Sequence, residues 1–243
     1  MENFNVLTPL RTSRRRQTGY NIYAEAKAEF SNAFMLDDTH KAAKQALLAI
    51  RRGPIRYCRN STIVCEGDPS DYVFLIVDGT VRSCRTFENG TRSIVAFHIP
   101  GELFGWTDDV KHSLSAEAAT DSMILFFKRS ILFSLATHES KLASFLLAAT
   151  TNELRRVQEH SLLLGRNAKC RVASFLLDLS KRMGDTKNLD LPMSHQDIAD
   201  HLGLTIETVS RTITEMEQTG LIARASPRTL ILLNRAALIR MMK

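Results

Sequence analysis

One tryptophan, four tyrosines and six prolines are spread over 243 residues, and the four cysteines, Cys58, Cys65, Cys84 and Cys170, form no C-x-x-C pair. That spacing excludes zinc-ribbon and thioredoxin-like redox motifs and offers no disulfide framework. The thiols are expected to be reduced and mostly buried. The longest apolar runs, among them Val73 to Val77 and Met123 to Phe127, reach five residues, against the roughly 18 that a membrane-spanning helix needs. MENFNVLTPLRTSRRRQ, at the start, lacks the apolar stretch of about 7 to 15 residues that a secretory signal requires, so the expected location is the cytoplasm. Neither charge sign dominates: 32 Lys+Arg against 26 Asp+Glu leave a net +6, which suits an anionic partner without naming one. With 44% hydrophobic and 24% charged residues, the composition is that of a globular chain long enough for one large domain or two small ones.

Residues 1–36 hold no sustained hydrophobic period and carry Arg14-Arg15-Arg16, a texture that reads as a solvated arm. From Asp37, DDTHKAAKQALLAIRR is rich in Ala, Leu and Lys, and is expected to form a helix ending at Gly53-Pro54. Between Ile55 and Phe127 the pairs Gly67-Asp68, Asp78-Gly79, Asn89-Gly90 and Pro100-Gly101 punctuate short β-rich runs at near-regular intervals, the pattern of an antiparallel β-roll. The helix and roll make one unit, residues 37–138. Residues 139–165 hold no Pro, and no Gly before Gly165, and predict a helix about 40 Å long. On it Leu147, Thr150, Leu154, Val157, Ser161 and Leu164 share one a/d-type seam, which favours a dimer interface over simple packing along the roll.

The last unit, residues 166–243, contains SHQDIADHLGLTIETVSRTITEMEQT from Ser194. Ser194 and Asp197 can cap a helix, Ala199 is small enough for close helix crossing, and Gly203 can take a left-handed turn. Ile206, Val209 and Ile213 are expected to face inward on the next helix. This is the helix-turn-helix pattern, whose second helix enters the DNA major groove. Glu207, Ser210, Arg211 and Thr214 stand at i, i+3, i+4 and i+7 on the opposite face. A guanidinium there can pair with guanine O6 and N7, a carboxylate can accept from cytosine N4, and a hydroxyl can serve a base or a phosphate. Without the surrounding motif, Glu207 and Arg211 would read as a solvated ion pair. Beyond Gly220, LIARASPRTLILL gives two β-like runs around Ser226-Pro227, a wing. Thr205, Thr214, Arg224 and Arg228 are expected to meet the phosphate backbone. Double-stranded DNA is the implied partner.

The pieces YCRNSTIVCEGD, DGTVRSCRTFENGTRSIVAFHIPGELFG, RVASFLLDLS and LPMSHQDIADHLGLTIETVSRTI resemble the Crp/Fnr superfamily of bacterial transcription regulators, and most closely its FixK group, over about residues 40 to 243. The resemblance implies an α+β architecture: an N-terminal cyclic-nucleotide-binding-like β-roll, a long dimerisation helix and a C-terminal winged helix-turn-helix. Glu207, Ser210 and Arg211 fill the family's E-x-x-S-R signature, associated with a TTGAT-type half-site in a palindrome. The implied function is a homodimeric activator of microaerobic and nitrogen-fixation genes that also meets RNA polymerase. Cys170, in AKCRVASF, stands where the family usually has Glu. Between Lys169 and Arg171 near a helix start, it is the candidate redox thiol, the alternative being an inert buried one.

Relatives that bind cyclic nucleotides clamp the phosphate with an Arg-Ser pair, and here the matching place reads Leu114-Ser115, with no arginine between Arg92 and Arg129. A buried anion needs such a cation, so no cyclic nucleotide is expected. Relatives that hold an iron-sulfur cluster use clustered N-terminal cysteines, whereas the first here is Cys58. No cofactor, metal or catalytic residue is expected. Two alternatives stay open: a regulator sensing haem, nitric oxide or redox state directly, and a cupin-type metalloenzyme. For the second, His98 and His112 form no H-x-H pair, and packing or surface roles fit them better.

Overall fold

The computed structural model describes residues 47 and 49–242, apart from 108 and 185. The arm over residues 1–36, with its arginine triplet, and most of the helix expected from Asp37 lie outside the described residues. Leu47, Ala49 and Ile50 are helical, and strand β1 (Arg51–Tyr57) follows at once. The helix therefore stops short of Gly53-Pro54, which forms an irregularity within β1, where the register against its partner shifts between Arg52 and Ile55. A Gly-Pro pair reads as a helix stop in the sequence because a bulge draws on the same residues.

The roll consists of two four-stranded antiparallel sheets. One has the order β1, β8 (Ser122–Lys128), β3 (Tyr72–Asp78), β6 (Leu103–Phe104); the other has β2 (Thr62–Val64), β7 (Ser115–Ala118), β4 (Val81–Thr86), β5 (Arg92–His98). Gly67, Gly79, Gly90 and Gly101 all have positive φ, between 78° and 88°, so the punctuation that defined the roll in the sequence marks its turns. At Gly79 the constraint is doubled, since an added Cβ would lie 2.4 Å from the Asp121 carbonyl oxygen. The unbroken apolar run in β3 has a reason. Phe74 and Ile76 point between the sheets onto Val64, Val81, Phe104 and Ala116, while Val73, Leu75 and Val77 point outward beneath Leu132, Leu142 and Leu146 of the following helices. A strand buried on both faces cannot alternate with polar residues.

Helices α1 (Arg129–His138) and α2 (Ser140–Leu163) break at Glu139. Helix α2, at 24 residues, is about 36 Å long. The final unit runs α3 (Ala168–Arg182), β9 (Asn188–Asp190), α4 (His195–Leu202), α5 (Ile206–Gln218), β10 (Ile222–Arg224), β11 (Thr229–Leu232) and α6 (Arg235–Arg240), with sheet order β10-β11-β9. Its core does not close on itself. Cys84, Ile94, Phe97 and Ile99 of the roll pack in the same cluster as Val172, Leu176, Ile198, Leu202 and Val209, so the helix-turn-helix is docked on the β4-β5 face.

Candidate nucleic-acid interface

Local chemistry builds the helix-turn-helix. Ser194 Oγ accepts from the Asp197 N–H and an Asp197 carboxylate oxygen accepts from the Ser194 N–H, a reciprocal cap on α4. Ala199 is fully buried, and Gly203 ends α4 in the left-handed region at φ 61°. Thr205 caps α5 by accepting from the Thr208 N–H at 3.2 Å. Helix α5 then buries Val209, Thr212, Ile213 and Met216 and turns Glu207, Ser210, Arg211 and Thr214 to solvent.

These four line one open trough with Glu215, Gln218 and Ile206. Ile206 departs from its expected inward position: it is the first residue of α5, and at 38% exposure it forms the rim of the polar face. Arg211 makes no hydrogen bond or ion pair among the described residues, and Glu207 is not its partner. The Glu207 carboxylate accepts instead from its own N–H and the Thr205 hydroxyl, which hold its pKa below the usual carboxylate range. It is thus ionised at neutral pH. The Thr214 hydroxyl donates to the Ser210 carbonyl. The face presents a guanidinium without a partner among the described residues, an exposed ionised carboxylate and two hydroxyls, the functional groups that read base edges.

In the wing, Arg228 lies exposed in the β10-β11 turn, its N–H donating to Ser226 Oγ. Arg224 is exposed too, but pairs with Glu217 at 3.1 Å, so it would have to exchange partners to reach a phosphate. The third wing strand, β9, hydrogen-bonds to β11 and carries no signal beyond three residues.

Along α2, Leu142, Leu146, Ala149, Glu153, Arg156, His160 and Leu163 face the rest of the chain, buried or half-buried. One residue further on, about 100° around the helix, lie Leu147, Thr150, Leu154, Val157, Ser161 and Leu164, all exposed, with Leu147 at 69% and Leu154 at 57%. A leucine-bearing heptad stripe open to water on a long helix is an unsatisfied packing surface.

The roll encloses a cavity of about 110 Å³ lined by His98, His112, Ser83, Trp106, Leu114 and Glu153, among others, with no arginine in its wall among the described residues. Ligand pockets usually measure about 300 to 1,000 Å³. His98 and His112 are packing residues: both are buried, burial lowers the pKa of each, and His98 Nε2 shares a hydrogen bond with Ser83 Oγ at 2.9 Å. Among the described residues no cluster of three or more His, Cys, Asp or Glu side chains is placed to hold a metal.

The thiols differ from expectation. Cys58 and Cys65 are exposed, Cys84 and Cys170 buried, and all four are free. Burial pushes the Cys84 thiol up to about 11. Cys170 does sit in the first turn of α3, its N–H donating to the capping Asn167 at 2.9 Å. Its flanking cations have other partners: Lys169 pairs with Glu215, and the Arg171 guanidinium donates to the carbonyls of Arg166, Leu202 and Gly203.

Roll, long helix and winged helix-turn-helix together define a DNA-binding transcription regulator. Residues 170–241 match the Crp-like helix-turn-helix domain and residues 54–139 the cyclic nucleotide-binding domain. The nitrogen fixation regulation protein FixK of Azorhizobium caulinodans is 42% identical over 220 residues, 88% of each chain. Its namesake in Rhizobium meliloti is 40% identical over 177 residues, covering 72% of this chain and 81% of that one. Among solved structures, FixK2 from Bradyrhizobium japonicum superposes with a TM-score of 0.74 at 39% identity, over 78% of this chain and 96% of that one. The chain belongs to the Crp/Fnr family of transcription regulators, in its FixK-like branch.

Proposed function

We propose that the protein acts in the cytoplasm as a homodimeric activator of microaerobic and nitrogen-fixation genes, binding a TTGAT-type palindrome and meeting RNA polymerase there. The observation that carries this reading is the open face of α5, where Arg211 has no partner among the described residues and Glu207 is ionised beside it. TTGAT contains one G·C pair, so a bidentate guanidinium and an accepting carboxylate can address its two bases, each such contact worth about 1 to 3 kcal/mol of discrimination. Thr205, Thr214 and Arg228 hold the backbone, with Arg224 joining them once it leaves Glu217. The exposed α2 stripe supplies the dimer, which sets two α5 helices about one DNA turn apart. Regulation of nitrogen fixation comes from the names of the FixK relatives.

Cyclic nucleotide has no role in this reading: the roll cavity is small, and Leu114 stands where an arginine would be needed. Binding-site selection from random duplex DNA, with and without cyclic AMP, tests the proposal. The expected product is a two-fold symmetric site with a TTGAT-type half, recovered equally in both conditions. An asymmetric or single half-site would contradict the dimer, and recovery only with the nucleotide would contradict a ligand-independent roll.

A further inference from the structure

The contact between the helix-turn-helix and its own roll contains more charge than an ordinary packing surface. Arg82 of β4 is 6% exposed and Asp197 of α4 is 3% exposed, and they pair at 3.0 Å. Arg92 of β5 donates to the same Asp197 oxygen at 2.6 Å and to Asp200 at 2.8 Å. Glu117 of β7 holds Arg82 from behind at 2.7 Å. Asp197 thus divides its work by oxygen: Oδ2 accepts from Ser194 and closes the α4 cap, while Oδ1 accepts from both roll arginines. A second cluster sits at the other end of the contact. Glu102, in the loop after β5, accepts from Arg182 of α3 at 2.6 and 2.9 Å and from Arg156 of α2 at 2.5 Å, and Arg182 also donates to the Phe97 carbonyl.

Hydrophobic contact is tolerant of sliding, whereas buried ion pairs with shared hydrogen bonds are not, since displacement leaves a charge desolvated and unpaired. Between the two clusters lies an apolar strip of Ile94, Phe97 and Phe175 that supplies contact without fixing an angle. The clusters also link the elements that matter: roll to α4 at one end, roll to α2 and α3 at the other. A dimer through α2 therefore inherits the orientation of its reading helices from these pairs.

We propose that the Arg82–Asp197–Arg92–Asp200 and Glu102–Arg182–Arg156 clusters are positioning residues that hold each helix-turn-helix at a set angle to its roll and thereby fix the half-site spacing the dimer accepts. This rests on the DNA-binding reading above. None of these side chains lies on the α5 reading face, so base preference and spacing preference are separable.

The test measures affinity for operators with identical half-sites and the central spacer lengthened or shortened by one or two base pairs. Simultaneous engagement of two tethered modules is worth on the order of 10² and is lost when geometry forbids it, so wild type should show about a hundredfold spacer discrimination. Arg92→Ala with Asp200→Ala, both partly exposed, should reduce that ratio about tenfold or more, while a base change within the half-site costs what it costs in wild type. Asp197→Asn keeps an oxygen for Ser194 and removes the charge the two arginines share, and should act in the same direction. Should Asp197→Asn fail to fold, as judged by circular dichroism, the double variant decides. Spacer discrimination as steep as wild type in the folded variants would overturn the proposal. Tighter binding to every spacer would overturn it too, by showing that docking opposes DNA binding. Absence of base preference in wild type would instead strike the DNA-binding reading itself, and this proposal with it.

Discussion

His201 offers a quantitative test of how the helix-turn-helix sits on the roll. It lies on α4 with its ring stacked on His160 of α2, centroids 4.2 Å apart, and Nδ1 hydrogen-bonds to the Ile94 carbonyl of β5 at 2.9 Å. Phe97 and Phe175 pack edge-on against it. Burial, followed by the neighbouring His160, lowers its pKa from 6.5 to about 3. A depressed histidine pKa means that the unfolded chain binds the proton first, so stability is intact above the unfolded value and is lost as pH falls from there toward the folded one. Between about pH 7.5 and about pH 5 this single group should remove about 2 kcal/mol of stability. His201→Phe keeps an aromatic ring in the same pocket and deletes the titration. Urea unfolding at both pH values should give a variant that is less stable at the higher pH, having orphaned the Ile94 carbonyl, yet loses about 2 kcal/mol less than wild type on acidification. Equal acid losses in the two proteins would refute the burial of His201 in this contact.

Three further outcomes follow from the geometry. Arg228→Ala should weaken binding to all DNA sequences alike and reduce the slope of log affinity against log salt by about 0.9, the value for one phosphate left without its cation; an altered base preference in binding-site selection would contradict the wing assignment. Leu154→Asp, which places a charge in the exposed α2 stripe, should raise the dimer dissociation constant by at least about tenfold, or 1.4 kcal/mol, in sedimentation velocity, with circular dichroism unchanged; an unshifted dimer would place the interface elsewhere. Native-state alkylation followed by mass spectrometry should modify Cys58 and Cys65 rapidly and Cys84 and Cys170 only on unfolding. Rapid modification of Cys170 would contradict its burial in the first turn of α3.

What could be read from the sequence was local. The Ser194 and Asp197 cap, the Gly203 turn and the polar stripe from Glu207 to Thr214 are written within 21 residues of one another, and the roll's turns rest on glycines that need positive φ. The structure departs from the sequence reading where the determinant is remote. Asp197 was legible as a cap, but its second partner, Arg82, is 115 positions away, and nothing in the spacing announces it. Glu102 and Glu117 are the counter-charges of Arg182 and Arg82, 80 and 35 positions away, separations at which no sequence pattern pairs them. His98 and His112 could be read only as packing or surface residues without a choice between the two, since a lone histidine has no periodicity. The Glu139 break between α1 and α2 and the three-residue β9 fall below the length at which patterns speak.

Arg211, on α5 and without a partner among the described residues, is the residue assigned to read a guanine in each half-site, and the rest of the DNA-binding reading stands on it. Binding-site selection with Arg211→Ala measures this directly. Preference at that one base pair should collapse, with affinity for the wild-type operator reduced by about 1 to 3 kcal/mol per half-site, while the other positions of the half-site stay selected. An Arg211→Ala protein that still selects the same guanine would contradict the assignment.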